Sequence, residues 1–270
     1  MMVISIKPLR SSPASIVQTH KFPSGEYLAK IHKSIQADEK IFITSSMSPP
    51  TNDSLMEIMS VIDAAENAGA GDITLICPYL GYARQHSVEI PYSSIGIKIV
   101  ARMLEAAGVK HLVTVDIHSL EALDFFSIPV THISVVEILG HYSSILKLDD
   151  FTIIAPDKGS KKRLEDLGCN IVTMDKIRSN ASINIEINGD VEGKNCLIID
   201  DILDSGNTME AAIACLKANN AADIQGYCTH FLGKYTPSIP LYITDTVPLM
   251  IDKKNFSAIL PISPFINKFL

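Results

Sequence analysis

Residues 196–208 read Cys-Leu-Ile-Ile-Asp-Asp-Ile-Leu-Asp-Ser-Gly-Asn-Thr, and this stretch decides how the rest of the chain is interpreted. The apolar run at its start has the length of a buried strand, and two acids, Asp200 and Asp201, follow it directly. A polar turn comes next, and helical spacing of apolar residues extends from Met209 to Ala218. We therefore expect a strand, a turn and a helix, with two carboxylates beside the helix N-terminus.

The turn after the acids suits a phosphate group. Helix N-termini leave backbone N–H groups unpaired and carry positive partial charge, so a phosphate monoester can collect several donors there. Gly206 permits close approach of the backbone, Asn207 tolerates left-handed dihedral angles, and Ser205 and Thr208 add hydroxyl donors. The alternative is an ordinary loop in which Asp204, Ser205 or Thr208 only caps the helix, worth about 1 kcal/mol each.

The two acids suit the hydroxyl groups of a sugar. Carboxylates only accept hydrogen bonds, so Asp200 and Asp201 fit the 2- and 3-hydroxyls of a ribose and repel its phosphate. Burying a carboxylate pair without a partner is costly, and such pairs usually serve a ligand or a metal. A ribose 5-phosphate offers hydroxyls to the acids and a phosphate to the turn.

Length and composition exclude several classes of protein. The 270 residues are 47% hydrophobic, which allows one large α/β domain or two smaller ones. No apolar stretch reaches the roughly 18 residues of a membrane span, and no signal-peptide pattern follows Lys7 and Arg10, so we expect a cytoplasmic protein without a membrane partner. The net charge of −7 and the lack of a basic run argue against a nucleic-acid partner. The five widely spaced cysteines are typical of reduced core thiols.

Short apolar runs alternate with helical patterns along the chain, and this alternation predicts parallel sheets covered by helices. In the first half we predict strands at 41–44, 73–77 and 112–115, and helices at 55–68 and 94–107. In the second half we predict strands at 151–155, 170–173, 196–199, 223–229 and 241–243, and helices at 161–167 and 209–218. The repeated arrangement predicts two α/β domains in tandem, with a boundary between residues 146 and 147.

Two loops of the first half lie beside predicted elements: residues 78–86 follow a strand, and residues 49–54 precede a helix. Residues 78–86 read Pro-Tyr-Leu-Gly-Tyr-Ala-Arg-Gln-His, and Arg84 and Gln85 beside aromatic rings can clamp a polyphosphate and bind a base. A solvated loop is the alternative. Residues 49–54 are compatible with a proline turn and an Asn or Asp helix cap.

Three further groups come after predicted strands, where open α/β sheets bind ligands. His118 follows one strand and Asp157 another, and an imidazole and a carboxylate can share a divalent cation held by phosphates. The N–H groups of residues 157–160 can hold a pyrophosphate. Lys176 and Arg178 point to the same side in extended chain, so both can reach one phosphoryl group. Taken singly, a histidine in the position of His118 is more often structural than a ligand, and Lys176 and Arg178 would be an ordinary surface charge pair.

Together and in this order, the motifs resemble those of the ribose-phosphate pyrophosphokinase family, and residues 200–208 resemble the ribose-phosphate signature of the type I phosphoribosyltransferase fold. The resemblance extends from Phe22 to about Val247. Its other motifs are Phe-Pro-Ser-Gly-Glu at 22–26, Pro-Thr-Asn-Asp at 50–53, Tyr-Ala-Arg-Gln at 82–85, Asp-Ile-His at 116–118 and Pro-Asp-Lys-Gly at 156–159. The short length, the Gly-Tyr-Ala-Arg-Gln-His form and the Thr-Asp-Thr-Val run at 244–247 resemble the compact, archaeal-type members.

The resemblance implies two type I phosphoribosyltransferase-like domains in tandem, each a mostly parallel sheet flanked by helices. Residues 1–146 would carry the ATP-side loops and residues 147–270 the ribose 5-phosphate site. The implied reaction transfers a diphosphate from ATP to the 1-hydroxyl of ribose 5-phosphate with Mg²⁺. The implied assembly is a homodimer or a higher homo-oligomer.

The resemblance also implies a role for each candidate residue by its position. The ATP-binding residues would be Phe22, Glu26, Arg84, Gln85 and His86, with Phe22 and Glu26 contacting the adenine of a neighbouring subunit. The ribose 5-phosphate residues would be Asp200, Asp201, Asp204, Ser205, Gly206, Asn207 and Thr208. The pyrophosphate loop would be Asp157, Lys158, Gly159 and Ser160, the Mg²⁺ ligands His118 and Asp157, and the catalytic cations Lys176 and Arg178.

The chain departs from the family pattern at Ser24, where an aspartate is usual, at His86-Ser87-Val88, and at Ile177, where many members have a third cation. Two other functions stay open from the sequence. One is a phosphoribosyltransferase that consumes phosphoribosyl pyrophosphate, and the other is a non-catalytic regulatory homologue of the synthetase. Release of AMP from ATP with ribose 5-phosphate alone separates the first from the implied reaction.

Overall fold

Two parallel sheets dominate the computed structural model, which describes residues 2–6, 16–36, 39–88, 90–179, 182–249 and 251–270. Of residues 176–179 and 182–185 it describes the backbone only. The chain forms two compact units, one of Met1–Ile133, Thr246–Pro248 and Pro261–Leu270 and one of Ser134–Asp245 and Leu249–Leu260. The domain boundary between residues 146 and 147 stays a prediction.

The first unit contains a five-stranded sheet and a separate hairpin. In chain order its elements are β1 (Met2–Ser5), β2 (Val17–Lys21), β3 (Tyr27–Ile31), β4 (Lys40–Thr44), α1 (Thr51–Asn67), β5 (Asp72–Ile76), α2 (Gly96–Ala106), β6 (Val109–Val115), a 3₁₀ helix at Leu120–Phe125, and β7 (Val130–Ile133). The sheet order is β1-β4-β5-β6-β7 with all pairs parallel, while β2 and β3 pair antiparallel. The last four residues of β4 and of β5 are buried, because helices cover a parallel sheet on both faces.

Helix α1 begins earlier than its apolar pattern indicates. The predicted helix starts at residue 55, but α1 starts at Thr51 with Pro50 as N-cap and without a side-chain cap. An Asn or Asp cap at residues 49–54 is therefore wrong. The apolar residues that face the core lie three or four apart along α1, as an amphipathic helix requires, and they are Leu55, Ile58, Val61, Ile62 and Ala65.

The second unit contains a seven-stranded sheet. In chain order its elements are α3 (Val135–His141), α4 (Ser143–Leu146), β8 (Thr152–Ala155), α5 (Lys158–Leu164), a 3₁₀ helix at Glu165–Leu167, β9 (Ile171–Ser179), β10 (Ser182–Asn188), β11 (Asn195–Leu203), α6 (Asn207–Ala218), β12 (Asp223–Phe231), β13 (Leu241–Thr244) and β14 (Ala258–Leu260), while α7 (Ser263–Ile266) belongs to the first unit. The sheet order is β10-β9-β8-β11-β12-β13-β14, parallel except for the antiparallel pair of β9 and β10. The predicted parallel sheets flanked by helices are confirmed.

Three sequence predictions in the second unit differ from the structure. Strand β11 continues to Leu203 instead of ending at residue 199, because its parallel ladder with β12 places Asp200 opposite Cys228 and Ile202 opposite His230. Helix α5 starts at Lys158, three residues before the predicted helix, because the Asp157 side chain caps it. The strand predicted at 170–173 continues as β9 to Ser179, where it pairs antiparallel with β10.

Candidate active site

The Asp200 and Asp201 pair lies inside β11 and is almost completely buried. The two residues are 7% and 4% exposed, respectively. The Asp201 N–H donates to Asp200 Oδ1 over 3.0 Å, which links the backbone of one acid to the carboxyl of the other. Burial raises the pKa of Asp200 well above its usual value, and the charge of Asp201 raises it further. The negative charge of the buried pair therefore needs a cation or a hydroxyl donor to stabilise it.

Arg163 is the cation that the sequence analysis missed. Its guanidinium comes from α5, its side chain is 8% exposed, and Nη2 lies 3.1 Å from Asp201 Oδ1 and 3.7 Å from Asp200 Oδ1. The two acids therefore already have a partner within the protein. Because one guanidinium faces two carboxyl groups, the cluster still has acceptor capacity for a ligand.

Ser160 joins Arg163 and the acid pair in one network. Its hydroxyl donates to Asp200 Oδ1 over 3.3 Å and accepts from Arg163 Nη2 over 3.2 Å. Ser160 and Arg163 are three residues apart in α5, so they lie on one face of the helix. That i, i+3 spacing after a strand end is the signal by which sequence analysis could have found Arg163.

The predicted pyrophosphate loop at residues 157–160 is the N-terminus of α5. Asp157 Oδ1 accepts the Ser160 N–H over 2.8 Å, so one of the N–H groups assigned to a ligand is already satisfied. Gly159 lies in the first turn of the helix, and the exposed Lys158 extends its Nζ to 3.6 Å from Asp175 Oδ1. The loop thus presents an ammonium that bridges α5 and β9.

The predicted phosphate turn connects β11 to α6, and its left-handed residue is Gly206, not Asn207. Gly206 has φ 83° and is the N-cap of α6, and Asn207 is the first helical residue. The N-cap therefore has no side chain to bind the N–H groups of the first turn, unlike the cap of α5. Ser205 is exposed and Thr208 is half-buried in that first turn.

Asp204 and Glu210 place two carboxylates on either side of this turn, and both have partners. Lys234 Nζ lies 3.3 Å from Asp204 Oδ1. Glu210 Oε1 accepts hydrogen bonds from the hydroxyls of Tyr235 and Ser238, and these bonds lower the pKa of Glu210. The segment after β12 therefore supplies a cation to Asp204 and two hydroxyl donors to Glu210.

The candidate ATP residues Arg84, Gln85 and His86 lie together in the first unit with His118. Arg84 and Gln85 are exposed, while His86 and His118 are half-buried with ring centroids 6.1 Å apart. The backbone holds the loop in place, because the Gln85 N–H donates to the Tyr82 carbonyl over 2.9 Å. This arrangement gives a positive, exposed group next to two imidazoles.

Phe22 and Glu26 lie in the turn between β2 and β3, a separate element of the first unit. The Phe22 N–H donates to the Glu26 carbonyl over 2.8 Å, and Phe22 is exposed. Ser24, the residue that departs from the family pattern, donates its hydroxyl to Glu26 Oε2 over 2.7 Å. The serine thus fixes the Glu26 carboxylate where an aspartate would repel it.

Lys176 and Arg178 have their backbone in β9, opposite Ile185 and Ile183 of β10. Their side chains lie outside the described part of the structure, so their predicted role is unchanged. Within the described residues, no group of three or more His, Cys, Asp or Glu side chains is arranged to hold a metal ion.

Comparison with known proteins matches both halves of the chain. Residues 5–108 match the N-terminal domain of ribose phosphate pyrophosphokinase, and residues 139–255 match the phosphoribosyl transferase domain. The first match is to a domain described for the pyrophosphokinase, which argues against a phosphoribosyltransferase that acts alone.

Similar proteins agree with this assignment. The chain is 35% identical over 253 residues to ribose-phosphate pyrophosphokinase of Neisseria meningitidis, and the aligned region covers 87% of the chain and 76% of that protein. It is 36% identical over 247 residues to the enzyme of that name from Chromobacterium violaceum, covering 85% of the chain and 74% of that protein. The crystal structure of phosphoribosylpyrophosphate synthetase from Mycobacterium smegmatis superposes with a TM-score of 0.84 and 28% sequence identity. The match covers 95% of the present chain and 89% of the chain in that crystal structure. The chain belongs to the ribose-phosphate pyrophosphokinase family.

Proposed function

We propose that the protein is a ribose-phosphate pyrophosphokinase, a transferase that moves a diphosphate from ATP to the 1-hydroxyl of ribose 5-phosphate. The products are phosphoribosyl pyrophosphate and AMP. The observation that carries the proposal is the Asp200 and Asp201 pair in β11, followed by the turn at Gly206 and the N-terminus of α6. In such a stretch the carboxylates can bind the hydroxyl groups of a sugar phosphate, and the turn with the helix N-terminus can bind its phosphate group.

Ribose 5-phosphate binds to the second unit. Asp200 and Asp201 accept hydrogen bonds from the 2- and 3-hydroxyls, and Arg163 keeps the two carboxyl groups in place. Asp204, Ser205, Gly206, Asn207 and Thr208 surround the 5-phosphate. The glycine N-cap supports this role, because Gly206 has no side chain that would bind the N–H groups of the first turn of α6.

ATP binds through Arg84, Gln85 and His86, with adenine contacts from Phe22 and Glu26 of a neighbouring subunit in a homodimer or higher oligomer. The exposure of Phe22, Arg84 and Gln85 supports these assignments, because a ligand or a second subunit can reach them. Residues 157–160 hold the pyrophosphate, with the Lys158 ammonium as the charged donor.

We place the protein in the cytoplasm. Among its described residues, no helix is long and apolar enough to cross a membrane.

His118 and Asp157 are the residues that we propose to hold Mg²⁺, and the Asp157 carboxylate is the type of ligand that Mg²⁺ prefers. Mg²⁺ is usually bound by one or two protein carboxylates together with substrate phosphates, so a site of three protein ligands is not required. Asp157 caps α5 with one oxygen, and a carboxylate retains further lone pairs for a cation. When bound, Mg²⁺ would neutralise charge on the phosphate oxygens.

The 1-hydroxyl of the sugar attacks the β-phosphorus of ATP, and AMP leaves. Negative charge then spreads over the phosphoryl oxygens, and catalysis consists mostly of positioning and electrostatic stabilisation. Asp200 and Asp201 orient the sugar, and Lys176 and Arg178 stabilise the charge of the transferring group.

The test is to measure AMP formed from ATP by the purified chain, with and without ribose 5-phosphate and Mg²⁺. We expect AMP only when both are present. A phosphoribosyltransferase would form no AMP under these conditions. A protein that forms no AMP but activates another synthetase would be the regulatory homologue, and the proposal would then be wrong.

A further inference from the structure

The segment between β12 and β13, residues 233–238, packs against the turn that we propose to bind the 5-phosphate. The ring of Tyr235 is buried and fills the space next to Gly206. A Cβ atom at Gly206 would lie 2.6 Å from Cε2 and 2.8 Å from Cγ of that ring. The ring therefore fixes the distance between the 233–238 segment and the N-terminus of α6.

Hydrogen bonds attach the same segment to the first turn of α6. Glu210 Oε1 accepts from the Tyr235 hydroxyl and, over 2.7 Å, from the Ser238 hydroxyl. These bonds lower the pKa of Glu210, so its carboxylate is charged at neutral pH. Two hydroxyl donors thus hold one carboxylate, and the segment has a fixed position on the helix.

Lys234 is the cation that this packing brings to the turn. Its side chain is 68% exposed, and its Nζ lies 3.3 Å from Asp204 Oδ1, inside the proposed phosphate turn. A phosphate dianion beside Asp204 and Glu210 meets two negative charges, so it needs a compensating cation in addition to the helix N-terminus. An exposed ammonium on a flexible four-carbon chain can turn from Asp204 to a phosphate without movement of the backbone.

We propose that Lys234 is a further phosphate-binding residue of the sugar-phosphate site, and that Tyr235, anchored by Glu210, positions it. This inference rests on the proposed function, because it names a specificity determinant of the same site. Lys234 then distinguishes ribose 5-phosphate from ribose, since its ammonium interacts with the phosphate and not with the sugar hydroxyls. Tyr235 acts through Lys234 and does not touch the substrate.

The experiment measures the Kd of ribose 5-phosphate by calorimetry with the full chain in the absence of ATP. Lys234→Met removes the charge and keeps much of the length of the side chain, and we expect it to raise the Kd about 10-fold or more. Lys234→Arg should stay within about 3-fold of the wild type, because it retains the charge. Lys217→Met is the matched control, since Lys217 is an exposed lysine in the last turn of α6, and its Kd should equal that of the wild type.

The role of Tyr235 is tested by Tyr235→Phe, which keeps the ring against Gly206 and removes the bond to Glu210. We expect a roughly 3- to 10-fold higher KM for ribose 5-phosphate with an unchanged KM for ATP. An equal loss for both substrates would mean a merely structural role and would overturn the positioning part.

The result that overturns the assignment of Lys234 is a Kd of Lys234→Met equal to that of a wild-type chain that binds ribose 5-phosphate. If the wild type itself does not bind ribose 5-phosphate, the proposed function fails together with this inference. The two failures are therefore distinguished by the wild-type titration alone.

Discussion

Gly206 is the position in the proposed phosphate turn where one added methyl group should do the most damage. Two costs add in Gly206→Ala. The φ of 83° lies in the left-handed region, which costs an alanine about 1–2 kcal/mol. The new Cβ would also lie 2.6 Å from Cε2 of the buried Tyr235 ring, and overpacking of this kind costs about 1–3 kcal/mol. We expect a loss of about 2–5 kcal/mol in the free energy of unfolding, a large share of the stability of a typical protein.

The assay is urea denaturation of the purified chain beside two control variants. Gly193→Ala has a similar φ of 65° with nothing within 4 Å of the new Cβ, so it should show the conformational cost alone. Gly140→Ala lies within α3 and also has open space, so it should be neutral or stabilising by about 0.5–1 kcal/mol. Tyr235→Ala combined with Gly206→Ala should lose less stability than the sum of the two single variants. Equal losses for Gly206→Ala and Gly193→Ala would refute the contact with Tyr235.

Three further predictions concern the acid pair and the catalytic cations. Arg163→Met should lower the free energy of unfolding by about 3–5 kcal/mol, because two buried carboxyl groups lose their cation. Lys161→Met, on the exposed side of α5, should change the free energy of unfolding little. Similar losses for the two variants would contradict the network of Arg163 with the acids. Because the folded-state pKa of Asp200 is raised above its unfolded value of 3.8, the wild type should lose stability as the pH rises from that value through the folded pKa. The stability of Asp200→Asn relative to the wild type should then increase with pH in denaturation measured at several pH values, and a constant difference would remove Asp200 from the effect. Lys176→Ala should lower kcat roughly 10²- to 10³-fold with little change in the Kd of ribose 5-phosphate, and an unchanged kcat would exclude Lys176 from the chemistry.

The sequence was sufficient to predict the elements that local patterns determine. Strand β4 and the start of β11 are apolar runs of strand length, and α1 carries a clear helical stripe. Glycine and short polar residues predict the turn before α6, although the helix begins at Asn207, two residues before the predicted start. These features depend on neighbours in the chain, so the chain itself reveals them.

The sequence was not sufficient where a distant strand or helix decides the outcome. Nothing near Asp200 shows that β12 continues the ladder past it, or that Arg163 of α5 reaches both acids. The contact between Tyr235 and Gly206 joins residues 29 positions apart, and no local pattern connects them. The sequence allows a left-handed backbone at Asn207, but Gly206 adopts it, because both residues tolerate this conformation and only the start of α6 decides between them.

The fate of the β-phosphorus of ATP tests the central claim most directly. The purified chain is incubated with Mg²⁺, ribose 5-phosphate and ATP that carries a radioactive label on its β-phosphate, and the products are separated. The proposed reaction predicts that the label appears in the sugar product while AMP accumulates without label. Label retained in ADP, with a single phosphate moved to the sugar or to water, would contradict the transfer of a diphosphate.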